Sequence, residues 1–359
     1  MTCIPDESEF SALTARLREL ANPDAVDGWP TEHLRILWQA GAARWVIPRE
    51  FGGDGIEAGT LLWRYRELAR ASLLTAFIFS QRNAACQRIE SSANRHIAKR
   101  LLPDLASGHI QATVGISHLT TSRQHWQVPT VTATLDGTDY LLNGVVPWAT
   151  GAGSADLMVT GGTLSDGRQL LAAVPVKSPA VVVRPAIAML GLSASCTGEV
   201  ELHDVRVPAS DVLHGPVERV MAAGGGGAGS LSTSAIAIGT AQGTLDRFAE
   251  EAKRRPELNQ YLKPLQQEAD VLAQSLAAAA LAMAGPSQED RVSPETLRQR
   301  ANSLVIRAAQ AWLAATRGAG YVSGHPAERA VRESLFFLVW SCPQAVLDAS
   351  LKELSCGLW

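Results

Sequence analysis

Asn143-Gly144-Val145-Val146-Pro147-Trp148-Ala149-Thr150-Gly151 is the stretch whose reading decides the fold of this chain. It closes a strand–turn–strand unit made of Val131-Thr-Ala-Thr-Leu135, a turn at Asp136-Gly137, and Tyr140-Leu-Leu-Asn-Gly144. Apolar and polar residues alternating around an Asp-Gly pair mark a β-hairpin. Further β-like segments lie at Leu157–Thr160, Leu170–Val174, Val181–Val183 and Glu199–His203, running out to Val207-Pro208. Strands at this spacing over about a hundred residues predict a small antiparallel barrel or sandwich. At the end of the second strand, Trp148 offers a large aromatic face and Thr150 a hydroxyl and a backbone N–H. Taken alone, such a tryptophan is more often a packed core residue than a ligand contact.

On both sides of this block the apolar spacing is helical. Leu34, Leu37, Trp38 and then Leu61, Leu62, Tyr65, Leu68 recur at three and four residues. Ile47-Pro48-Arg-Glu-Phe-Gly52-Gly53 interrupts them as a loop. From Gly215 the helical pattern returns in four longer segments: Ser234–Arg255, Tyr261–Ala284, Pro294–Arg317 and Pro326–Leu354. Pro256 and the polar stretch Gly285–Arg291 separate them, and Gly224–Gly227 reads as a hinge or disordered loop. The expected class is α+β, mostly α. An N-terminal helical domain (1–112) leads into a β-domain (113–215), followed by a C-terminal four-helix bundle (216–359).

The 359 residues are 46% hydrophobic with a net charge of −3, so charge-driven binding to nucleic acid or a membrane surface is not expected. The amino terminus has no basic start and no apolar run, and the longest small-apolar stretch, Leu276–Ala284, is too short to span a bilayer. A soluble, cytoplasmic protein is the expectation. Five scattered cysteines (Cys3, Cys86, Cys196, Cys342, Cys356) form no CxxC pair, which argues against a disulfide framework and against a zinc site.

Together with Asn143–Gly151, two later segments, Gly318-Ala-Gly320-Tyr321 and His325-Pro-Ala-Glu328-Arg329-Ala-Val-Arg332-Glu333, closely resemble the acyl-CoA dehydrogenase superfamily of flavoproteins. The order of helices, β-domain and bundle matches it over essentially the whole chain. The resemblance implies FAD as cofactor, with Trp148 and Thr150 flanking the isoalloxazine and bonding near N5. The family's second flavin segment, Thr-Glu-Pro-x-x-Gly-Ser-Asp, corresponds here to Ser117-His118-Leu-Thr120-Thr121-Ser122-Arg123-Gln124-His125. Ser117, Thr120 and Ser122 keep hydroxyls for the flavin's carbonyl edge, while His118 stands for the glutamate. Arg254 or Arg255 and Gln267 fall near the family's Arg…Gln segment, which contacts the cofactor across a subunit interface. Thr316-Arg317-Gly318-Ala-Gly320-Tyr321 resembles the Gly-Gly-x-Gly-Tyr turn, whose backbone approaches the pyrophosphate. The same glycines also suit a helix C-cap. Glu328, Arg329 and Arg332 are expected to form ion pairs around that turn.

One family residue is missing. Where the resemblance places the glutamate that removes the substrate α-proton, this chain has Ser341, followed by Cys342-Pro343. The alternative family position, on the first long bundle helix, falls at Gly229 beside Ser230. Asp246 and Glu250, further along that helix, are expected to face solvent. A dehydrogenase needs a positioned carboxylate, whereas an oxygenase does not. The expected function is therefore an FAD-dependent oxygenase working through a flavin–oxygen adduct. His118 or His125 would handle protons, and Ser341 and Cys342 would line the substrate face. The substrate would be aromatic or acyl, with a CoA thioester as one form, and dioxygen the co-substrate. No nicotinamide-binding Gly-x-Gly-x-x-Gly follows a strand, so reduction would come from the substrate or a separate reductase. Two rivals remain: a divergent dehydrogenase that recruits another base such as Glu333, and a non-catalytic subunit that keeps the fold. A homodimer or a tetramer of dimers is the expected assembly.

Overall fold

A computed structural model describes residues 7–20, 28–120, 128–223, 229–282 and 292–355. Among the described residues the N-terminal part holds five helices: α1 (Glu7–Glu19), α2 (Thr31–Gln39), α3 (Ala58–Ala71), α4 (Leu73–Glu90) and α5 (Arg95–Ser107). Helix α4 is apolar around most of its circumference and buried along most of its length. It is the central helix of the layer, as expected of a helix with no polar stripe. The Ser72 hydroxyl caps it by accepting from Thr75 N–H. The predicted Ile47–Gly53 loop is present as a short 3-10 turn, Arg49–Phe51, closed by Gly52 at φ +82°.

Among the described residues eight strands follow: β1 (Ala112–Val114), β2 (Val131–Asp136), β3 (Asp139–Thr150), β4 (Leu157–Thr163), β5 (Gln169–Pro175), β6 (Val181–Val183), β7 (Thr197–Val207) and β8 (Val212–Val217). They form one sheet in the order β6-β7-β3-β2-β4-β5-β8, with β1 beside β4. The expectation of a purely antiparallel unit needs correcting. β1 runs parallel to β4, and β2 meets β4 in parallel at Thr132 and Thr163. Strand β1 enters from helix α5 rather than through a hairpin, so no tight turn forces it antiparallel. The β2–β3 hairpin at Asp136-Gly137 is as read, with Leu135 opposite Tyr140. Strand β8 was not foreseen, because its central Gly215-Pro216 hides it and suits only an edge position.

The C-terminal part comprises a short α6 (Val220–Ala223) and the long α7 (Gly229–Arg254), α8 (Asn259–Ala282) and α9 (Pro294–Gly320), then α10 (Pro326–Ser334) and α11 (Gln344–Ser355). The expected fourth helix, Pro326–Leu354, is thus broken in two. A 3-10 turn at Leu335–Leu338 and a loop to Pro343 intervene, with Ser341 at φ +45°. Pro343 disfavours helical geometry at Cys342 and stands directly ahead of α11, so it marks where the second helix begins. Helix α7 lies close against α3 because it turns two glycines toward it. A Cβ on Gly239 would sit 2.0 Å from Arg66 O, and one on Gly243 2.3 Å from Arg70 O. The same crossing corrects the reading of Asp246 as a solvent-facing residue: both its oxygens accept from Arg70 at 2.7 Å. One hydrophobic cluster joins α3, α4 and α7–α9 with Leu192 and Ala194 of the β6–β7 loop. The Gly224–Gly227 segment, Ser122 and His125 lie outside the described residues. Among the described residues no helix is long and apolar enough to cross a membrane.

Candidate functional site

The end of β3 is shaped by a bulge. Val146 pairs with Val200 and Ala149 with Gly198, so Pro147 and Trp148 together face Glu199 of β7. The extra residue turns Trp148 outward, leaving it 46% exposed in an otherwise buried strand end. Thr150, two residues on, is buried and points inward. Its hydroxyl lies 3.0 Å from that of Thr197, which lies 2.7 Å from Ser195 Oγ. Thr113 on β1 donates its hydroxyl to Thr150 O at 2.7 Å. The loop that delivers Ser195 is strained, with Leu192 at φ +63° and Cys196 at φ +47°. Such left-handed non-glycine residues cost of order 1–3 kcal/mol each and persist where the surroundings hold them.

Gly151 follows Thr150 at φ +61°, and a Cβ there would meet the Trp29 ring at 2.4 Å. The missing side chain lets the indole lie against the strand end. Between the two opens a cleft of about 280 Å³, bounded by α2, α4, β1 and Thr150–Ala155. Trp29, Trp38, Ile78 and Phe79 supply apolar wall, while Arg82 and Thr113 are among its polar members.

The 3-10 turn Ser117–Leu119 packs against β3. Ser117 Oγ is buried and has no hydrogen-bond partner among the described residues, while exposed Thr120 donates its hydroxyl to Ser117 O at 3.2 Å. His118 faces the interior. It is 8% exposed and donates Nε2–H to Gly161 O at 3.0 Å. Burial pulls its pKa down to about 4, against a smaller opposing effect of the Gly161 hydrogen bond. A neutral ring sealed in this way suits packing better than the proton handling expected from the sequence.

The residues expected at the bundle end fall into two groups. Arg255 donates to Ala315 O and pairs with Glu251 at 2.8 Å, which brings it to the turn at Arg317, Gly318 and Gly320. Arg317 breaks helical geometry at φ +55°, ψ −148°. Gly318 is exposed and open, whereas a Cβ on Gly320 would collide with Thr316 Oγ1. Arg254 and Gln267 point to solvent. Among the described residues, none of these shares a hydrogen bond, ion pair or cavity wall with Thr150. The expected ion pairs are present: Arg332 with Glu328, and Arg329 with Glu333 at 2.7 Å. Glu333 is thereby engaged.

Ser341 is exposed in the α10–α11 loop, and Cys342 is half-buried next to it. Burial pushes the Cys342 thiol up, and the Arg298 guanidinium opposes this. Arg298 is itself 2% exposed and donates Nη2–H to Trp340 O at 2.9 Å. Burial without a carboxylate partner depresses it to about 10. In front of this loop Phe77, Phe336 and Trp340 form a cluster, with Phe336 stacked on Trp340 at 5.1 Å and Phe77 edge-on to both. Sequence reading missed Thr113, Ser195, Thr197, Trp29 and Arg298; Ser195 and Thr197 come together from the loop into β7, and the others come singly from distant segments.

An exposed indole at a strand end and a buried, unpartnered Ser117 hydroxyl on the adjoining turn suit a flat heteroaromatic ring with acceptor atoms on its edge, as a flavin has. Among the described residues no histidine, cysteine or carboxylate cluster could hold a metal.

Residues 12–109 match the acyl-CoA dehydrogenase N-terminal domain model. "Probable acyl-CoA dehydrogenase YngJ" of Bacillus subtilis (strain 168) is 24% identical over 329 residues, 87% of this chain and 86% of that protein. The dibenzothiophene monooxygenase of Rhodococcus qingshengii is 26% identical over 239 residues, 63% of this chain and 57% of that protein. The glutaryl-coenzyme A dehydrogenase–glutaryl-CoA complex superposes with a TM-score of 0.80 at 20% identity, covering 98% of this chain and 96% of that one. The chain as a whole thus has the acyl-CoA dehydrogenase fold, and the match at residues 12–109 falls on its N-terminal helical part.

Proposed function

We propose that this chain is an FAD-dependent oxidoreductase that works as an oxygenase on an aromatic or acyl substrate. One observation carries the choice. At the position where the resemblance puts a carboxylate, the chain has exposed Ser341 and a half-buried Cys342 next to the Arg298 cation. A guanidinium cannot accept a substrate α-proton, but it does stabilise negative charge at its side. The similarity to a dibenzothiophene monooxygenase supports the same side, although that match spans little more than half of the relative.

Bound FAD would supply two-electron redox chemistry and, once reduced, reactivity toward dioxygen. The chain's own residues do the rest. Trp148 gives the ring an aromatic face, and the Ser117 hydroxyl donates to an acceptor on its edge. The Ser195–Thr197–Thr150 hydroxyls fix the strand end, so that the backbone there is presented in one geometry. Phe77, Phe336 and Trp340 keep water from the Cys342 side. Arg255, Arg317, Gly318 and Gly320 would meet the cofactor of a neighbouring subunit in a homodimer or tetramer. A separate reductase would deliver the electrons.

The test is to load the protein with FAD and expose it anaerobically to butyryl-CoA, then, after chemical reduction, to ¹⁸O₂ with a panel of aromatic substrates including dibenzothiophene. Incorporation of ¹⁸O into a product is the expected result. Anaerobic bleaching of the flavin by butyryl-CoA would instead make the chain a dehydrogenase. Failure to retain any flavin would point to a non-catalytic subunit.

A further inference from the structure

The cleft beside Thr150 holds a buried cation that, among the described residues, has no anionic partner. Arg82 is 4% exposed and lines the cleft. Of the five N–H donors of a guanidinium, two are used: Nη2–H to Leu105 O at 2.6 Å and Nη1–H to Asn83 Oδ1 at 3.2 Å. Nε is shielded from solvent and has no acceptor. Both existing acceptors are neutral, and among the described residues no carboxylate pairs with Arg82. The other arginine of the cleft, Arg35, is different: it sits at the exposed rim and is paired with Glu32. A buried charge that lacks a counter-ion is costly, and the usual remedy is a partner inside the fold. Among the described residues none is present. The walls beside Arg82 are aromatic, from Trp29, Trp38 and Phe79, with the Arg82 guanidinium carbon 5.8 Å from the Trp38 ring centre. At about 280 Å³ the cleft is at the small end for a ligand pocket, enough for one or two rings.

We propose that this cleft binds a small aromatic carboxylate, whose rings lie among Trp29, Trp38 and Phe79 and whose anionic group accepts from Arg82. The inference rests on the oxygenase reading in one respect, that the cleft opening at Thr150 is the substrate's; it narrows the substrate class from aromatic or acyl to an acid-bearing ring. A neutral carbonyl could take a hydrogen bond from Arg82 but would leave its charge uncompensated, so charge is what distinguishes the ligands.

Isothermal titration with benzoate and with benzamide, on both the flavin-free and the FAD-loaded protein, tests this without any turnover. Benzoate is expected to bind at one site per chain and about tenfold or more tighter than benzamide, as a charge-assisted bond should. Arg82→Gln is expected to abolish that preference by weakening benzoate about tenfold or more, while benzamide, whose carbonyl can still accept from the glutamine amide, changes by no more than about threefold. Should Arg82→Gln not fold, Arg82→Lys and the wild-type comparison still decide. Equal binding of the two ligands by the wild type, or no binding of either, would overturn the proposal. Benzoate preference without oxygen incorporation would overturn the oxygenase reading alone, and oxygen incorporation without benzoate preference would overturn this inference alone.

Discussion

The Thr150 hydroxyl lies 3.0 Å from the Thr197 hydroxyl across the β3–β7 ladder, and the two strands are joined there by side chains as well as backbone. With Ser195 and Thr113 the pair forms a buried polar chain at the floor of the cleft. Thr197→Val keeps the shape but leaves the Thr150 and Ser195 hydroxyls without that partner. The expected cost is about 1–3 kcal/mol in urea unfolding, while Thr197→Ser stays within about 1 kcal/mol of wild type. Equal stability of the valine variant would mean that the chain contributes nothing.

Gly151 is required twice over, by its φ of +61° and by the Trp29 ring that occupies the place of a Cβ. Gly151→Ala is expected to destabilise the fold by about 1–3 kcal/mol. It should also displace Trp29, read as a shift in the tryptophan emission maximum. An unchanged spectrum would show that the indole does not rest on the strand end.

His118 makes stability depend on pH. Its folded pKa, about 4, is below the ordinary histidine value of 6.5 because burial disfavours the charged ring. The unfolded chain therefore takes up a proton first as the pH falls. The stabilisation is fully present above pH 6.5 and is lost as the pH drops from 6.5 toward 4, by an amount of about 3 kcal/mol. His118→Leu should flatten the curve in that window. A wild-type stability that is level between pH 6.5 and 4 would contradict the buried neutral ring.

Trp148 and Ser117 are expected to hold the flavin. Trp148→Ala should weaken FAD retention by about tenfold, measured by fluorescence of the released cofactor, with Trp148→Phe intermediate. Ser117→Ala should lower retention by a smaller factor, about threefold, consistent with one hydrogen bond. Full retention in Trp148→Ala would place the cofactor elsewhere.

Much of the architecture was legible in the sequence because it repeats along the chain. The hairpin around Asp136-Gly137, the helical spacing before 112 and after 215, and the Trp148-Ala-Thr150 strand end are local patterns, and local chemistry suffices to read them. Strand β8 and the break between α10 and α11 were not legible. In the first a Gly-Pro conceals an edge strand, and in the second an apolar 3-10 turn, Leu335–Leu338, carries on the composition of the helix before it.

The sequence by itself determined the order of the layers and the strand-end motif, and only its resemblance to the family set Ser341 against an expected carboxylate. Only the tertiary structure decided what surrounds them. It turned Trp148 outward through a bulge and His118 inward against Gly161 O, and it placed Arg298 next to Cys342. It also left Arg82, among the described residues, without a carboxylate in an aromatic cleft. Each of these depends on contacts between residues tens of positions apart. Burial and charge pairing are properties of the packed chain, so no periodicity along the sequence encodes them.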